Sequence, residues 1–148
     1  MRRFRFPLET LRRVRAHQER LERARALEAR HQWEKTQQEL ESHRERFEAS
    51  LHRAVDWHQP ALWRALHGYI LQELEALEEH RRKAAWAEER WKQIQDRWIR
   101  ARQAHEVLER LRERAWERFH QELERQEGAE LDELAIQRIR FPQHGGGR

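Results

Sequence analysis

Apolar residues along this chain recur on alternating spacings of four and three, the signature of a helix seam rather than the period of two that a strand requires. The clearest run is Trp63, Leu66, Ile70, Leu77, Ala84, Ala87, Trp91, Ile94, Trp98, Ala101, His105, Leu108, Ala115 and Phe119. That is about eight heptads in one register, interrupted by Glu73, His80 and Arg112, and it predicts a coiled coil. An earlier stretch carries Leu8, Leu11, Val14 and Leu21, passes through Ala24, Ala26, Leu27 and Ala29, and resumes at Trp33, Leu40, Phe47 and Ala54. Its two halves are out of phase by about one residue, which implies local relaxation of the supercoil.

Between residues 8 and 140 only Pro60, Gly68 and Gly128 interrupt residues of good helix propensity. The expected architecture is all-α: a long two-helix antiparallel coiled-coil hairpin over residues 1–140. Helix 1 is expected at 8–57, a turn or short helix at 58–68, helix 2 at 69–138, and a disordered tail at 141–148. Pro disfavours helix at the residue before it and suits a first helical turn, which places the reversal near Pro60. Residues 8–57 would then pair with about 69–118, leaving the end of helix 2 projecting. At about 1.5 Å per residue, the two helices span roughly 75 and 105 Å. Pairs such as Glu9/Arg13, Glu19/Arg23, Glu78/Arg82, Glu79/Lys83, Glu88/Lys92 and Glu106/Arg110 would support the outer faces. Each contributes only about 0.2–0.5 kcal/mol, so the seam must hold the helices together.

Composition narrows the chemistry. Of 148 residues 39% are charged and none is Cys, which excludes a disulfide framework and a thiolate zinc site. No apolar run approaches the roughly 20 residues of a membrane span, so direct membrane insertion is not expected. Phosphate-cradling glycine motifs are missing. The hydroxyls Thr10, Thr36, Ser42, Ser50 and Tyr69 all fall on helix faces, leaving little material for a nucleophilic triad. The chain therefore reads as no enzyme, with no cofactor. Glu28/His31 and Glu117/His120 have the spacing of di-iron ligands, but a reversal near residue 60 separates them, and solvated side chains are the better reading. His80 and His105 lie on the seam as polar residues that fix register. Trp33, Trp63, Trp91 and Trp98 read as seam packing, whereas Trp57, Trp86 and Trp116 divide between packing and a partner surface.

The net charge of +4 is unevenly spread. Arg2, Arg3, Arg5, Arg12, Arg13 and Arg15 against Glu9 give +5 by residue 15, while residues 119–137 carry −5. A basic cluster of this kind raises nucleic-acid binding as an alternative, but the neutral remainder disfavours it.

Three blocks carry a family resemblance: Phe-x-Phe-Pro-Leu-Glu-x-Leu at Phe4–Leu11, Tyr69-Ile70-Leu71-x-x-Leu74, and the segment from Ala104 to Arg114 followed by Leu131-Asp132-Glu133-Leu134-Ala135. In order and spacing they resemble FliJ, the flagellar type III export protein. The resemblance implies a cytoplasmic stalk similar in shape to the ATP synthase gamma subunit, peripherally associated with the inner-membrane export apparatus. It implies binding and stimulation of a hexameric export ATPase ring, with export chaperones and a membrane-embedded export gate as further partners. Ring binding is expected at Arg2, Arg3, Arg5, Arg12, Arg13, Arg15, Glu122, Glu124, Asp132 and Glu133. Gate binding is expected at Tyr69, Ala76 and His80, a strip that equally reads as packing against helix 1. The seam is expected to use Leu11, Trp33, Leu40, Phe47, Trp63, Ile70, Leu77, Trp91, Ile94, Trp98, Leu108 and Phe119. A monomer is expected, and the equivalent stalk of a virulence type III system is the nearest alternative.

Overall fold

The computed structural model describes residues 3–53 and 60–140. They form two helices, α1 (Glu9–Arg53) and α2 (Pro60–Arg140), in an all-α arrangement. Glu9 in the first turn of α1 complements the helix dipole, and the Glu9 amide donates to the Phe6 carbonyl at 3.1 Å as the chain enters the helix. Helix α2 starts at Pro60, earlier than the expected 69, and runs through Gly68 without a break. Pro at a first helical position costs nothing because its missing N–H has no intrahelical acceptor. Gly68 has no positive φ, so it behaves as an ordinary helical residue. The last residues of the expected helix 1 (54–57), the start of the expected reversal (58–59) and the tail 141–148 lie outside the described residues.

The two helices are consistent with the expected all-α helical hairpin, and contacts divide the chain into two compact units: residues 1–15 with 104–148, and residues 16–103. Within the second unit the helices run antiparallel, Glu19 meeting Trp98, Trp33 stacking on Trp91 at 4.9 Å, and His43 meeting His80. Its buried residues are Ala26, Ala29 and Phe47 on α1 and Leu66, Leu77, Ala84 and Ala87 on α2. Four alanines among them allow close approach of the helices. Ile70, Trp91, Ile94 and Trp98 are half-buried beside them. Trp63, expected on the seam, is 58% exposed.

Along α1 one inward series is Arg12, Glu19, Ala26, Trp33, Leu40 and Phe47, a strict repeat of seven, and a second on the same interval is Glu22, Ala29, Thr36, His43 and Ser50. Leu8, Leu11, Val14 and Leu21 are exposed instead, Leu11 at 41%. The reason is geometric. A step of three residues turns about 300°, so the series Leu8, Leu11, Val14 winds away from any fixed face, whereas a step of seven stays close to it.

Polar groups fill the positions that the apolar residues leave. Trp98 Nε1 donates to Glu19 at 2.9 Å. The interruptions in the α2 seam lie beside polar groups of α1: His43 Nε2 comes within 2.9 Å of Glu73 without forming a hydrogen bond, the His43 and His80 rings are 5.0 Å apart, and Arg112 lies 3.8 Å from Glu9. A polar residue on a two-helix seam is tolerated where it meets a partner.

Candidate functional site: a charged network and aromatic clamp

In the first unit, charge and aromatic packing attach the N-terminal segment to α2. Arg12 donates from Nε and NH2 to Glu9 at 2.9 and 2.6 Å, and from NH1 to Glu109 at 2.7 Å. His105 adds a contact to Glu109 at 3.1 Å, and Arg13 reaches Glu9 at 3.3 Å. Hydrogen bonds from Arg12 hold the Glu9 carboxyl well below its usual range, at about 2, and lower that of Glu109; both carboxylates raise Arg12 in turn. All three stay charged across the physiological range.

Ahead of this network Phe4 meets Trp116 edge to face, with centroids 5.1 Å apart at 87°, and Phe119 at 5.6 Å. Trp116 also stacks near His120 at 6.3 Å. The indole is thus partly packed and partly exposed. Phe4 carries no helical periodicity, so only the aromatic character of Phe-x-Phe-Pro could have marked it for this contact.

The residues expected to bind a ring are therefore unlike one another. Arg12 is drawn into contact with α2, whereas Arg3, Arg5, Arg13 and Arg15 lie at the surface, Arg13 with its side chain 77% exposed. Arg2 lies outside the described residues. Glu122, Glu124, Asp132 and Glu133 are exposed on the same unit, Glu124 lying 3.6 Å from His120. Within residues 127–140 every position of α2 is exposed, including Leu131, Leu134, Ile136 and Ile139.

The strip expected to meet a gate lies in the second unit and touches α1. Tyr69 donates its hydroxyl to Ser50 at 3.2 Å, His80 faces His43, and Ala76 is half-buried. Among the described residues no cluster of three or more His, Asp or Glu is placed to hold a metal ion. Glu28 accepts from Gln32 at 3.0 Å, while His31 is exposed. No helix among the described residues is long and apolar enough to cross a membrane.

Paired helices with charged outer faces, and with aromatic contacts within each unit, define a helical coiled-coil scaffold whose resources are surfaces. The family model described as flagellar FliJ protein matches residues 4–143, and the chain belongs to that family of flagellar export components. No curated protein and no solved structure matches the chain.

Proposed function

We propose that the chain is a non-enzymatic stalk of the flagellar export apparatus that binds the export ATPase ring and stimulates it. The match to the FliJ family across residues 4–143 carries this reading. The first unit supplies a fitting surface: Arg3, Arg5 and Arg13 stand exposed while Phe4 and Arg12 hold the segment that bears them. An asymmetric rod in a symmetric ring contacts the subunits unequally, and a ligand that binds one subunit state better shifts the ring toward it. Exposed cations of this kind act mainly on association rate and on specificity. The same chain would link the ring to export chaperones and the membrane gate from a cytoplasmic position. The flagellar description of the matched family favours this apparatus over the virulence equivalent.

The test is ATP hydrolysis by the cognate export ATPase with and without the purified full chain. Stimulation is expected, and Arg3→Glu with Arg5→Glu should weaken it at unchanged helix content. A cognate ATPase that neither binds the chain nor responds to it would refute the proposal.

A further inference from the structure

The second unit carries an open groove that the stalk reading does not use. Its apolar lining includes Leu21, Ala24, Ala29, Ala87, Ile94 and Trp86, the last 64% exposed. The groove's volume is about 1230 Å³. Sites for small molecules typically measure about 300–1,000 Å³ and enclose their ligand, so an open trough of this size suits a segment of polypeptide better.

Its charge is one-sided. Arg25, Arg82, Lys83, Arg90 and Arg97 line it, against Glu22 and Glu28. Glu22 is already taken by Arg25 at 2.8 Å, and Glu28 by Gln32. The intrahelical pairs expected from sequence would have neutralised Arg82 and Lys83 through Glu78 and Glu79. Instead Glu78 lies 3.8 Å from Arg81, and no ion pair joins Arg82, Lys83 or Arg97 to an acid among the described residues. Arg90 stands over the Trp86 ring at 5.3 Å, placing a cation beside the largest exposed apolar surface of the groove.

We infer that this groove docks an acidic amphipathic helix of a protein partner. Its leucine-type stripe would lie on Leu21, Trp86 and Ile94, and its carboxylates would reach Arg82, Lys83 and Arg97. Helix-in-groove recognition divides the work in this way, apolar anchors supplying affinity and flanking charges supplying orientation. A membrane surface or nucleic acid would use the cations but cannot lay a narrow apolar stripe along the groove floor. The inference stands on the second unit alone and survives or fails independently of ATPase stimulation.

The experiment uses the full chain and two blocked helical peptides of about 20 residues, long enough to form helix. Both carry the same leucine stripe, one flanked by Glu and the other by Lys. Binding is read by fluorescence anisotropy of a labelled peptide. The Glu peptide should bind and the Lys peptide should not. Trp86→Ala, or Arg82→Glu with Arg97→Glu, should weaken binding about tenfold or more, as loss of a central anchor does. Arg114→Glu with Arg118→Glu, in the other unit, should leave it within about twofold. A photo-crosslinker replacing Trp86 should capture the Glu peptide, which reports location even if a charge variant folds poorly. Equal binding of the two peptides, indifference to the groove variants, or crosslinks confined to other positions would overturn the inference. So would self-association of the free chain that Trp86→Ala abolishes, or binding of RNA or anionic vesicles that displaces the Glu peptide without dependence on Trp86.

Discussion

If the α1 seam runs through Arg12 rather than Leu11, truncating two leucines of the same unit should give opposite results. Leu108 is 6% exposed, and Leu11 is 41% exposed. Leu→Ala at a buried site costs about 2–5 kcal/mol, the lower end applying where the neighbourhood can collapse or admit water. A two-helix seam has solvent on both flanks, so about 2–3 kcal/mol is expected for Leu108→Ala. For a chain of this length each kcal/mol moves the midpoint by about 2–4 °C, giving a fall of about 4–12 °C. Leu11→Ala removes surface that already meets water and introduces the best helix former, so its effect should stay within about 0.5 kcal/mol. Thermal unfolding followed by far-ultraviolet circular dichroism measures both. A loss at Leu11→Ala equal to or above that at Leu108→Ala would refute the inverted seam and restore the series Leu8, Leu11, Val14, Leu21.

The low Glu9 and Glu109 pKa values contribute stability that is fully present above the ordinary carboxylate value of 4.5 and is lost as pH falls through the folded values, about 2 for Glu9. Melts between pH 6 and pH 2 should therefore fall less steeply in Arg12→Gln than in the parent. Phe4→Ala removes both ring contacts to α2 and should cost about 1–3 kcal/mol while changing the near-ultraviolet dichroism of Trp116; an unchanged spectrum would count against the clamp. A Cβ added at Gly68 or Gly128 meets nothing within 4 Å, and neither glycine has positive φ. Each Gly→Ala change should thus stabilise by about 0.5–1 kcal/mol, read from the melting midpoint, and destabilisation at Gly68 would indicate a bend there. Amides of residues 127–140, all exposed and without a packed neighbour helix among the described residues, should exchange faster than those of 104–119, measured by hydrogen exchange.

Most of the α2 seam was legible because size and hydrophobicity there follow position: from Leu66 through Leu77, Trp91 and Trp98 to Leu108, large or small apolar residues fall on one register and are buried or half-buried. The first half of α1 was misleading for the opposite reason. Leu8, Leu11 and Val14 sit at intervals of three, which a short window reads as a helix face. The residues that do face α2, Glu9, Arg12 and Glu19, find their partners on that helix in Arg112, Glu109 and Trp98, far away in sequence. Polar pairing across a seam depends on the register of both helices at once, and the sequence of one helix does not identify the partners. The strict interval of seven from Phe47 back to Arg12 was the available clue. Gly68 misled in another way, since a helix interior tolerates a single glycine at a cost of about 1 kcal/mol when its neighbours propagate the helix.

Charge was legible as composition and opaque as availability. The cluster Arg2 to Arg15 counts as six cations, yet Arg12 is committed to Glu9 and Glu109 and Arg13 also reaches Glu9, so a count of cations overstates the free charge. Around Trp86 the opposite holds. Sequence spacing offers Arg82 and Lys83 an acid one turn earlier, but Glu78 turns toward Arg81, and neither Arg82 nor Lys83 is ion-paired among the described residues. Exposed pairs on a helix differ by only a few tenths of a kcal/mol, so which cation an acid chooses is decided by small local terms. A family of scaffolds that shares one heptad frame can therefore redistribute free charge along its surface by single substitutions, at almost no cost to the fold, and so change the partners it recruits.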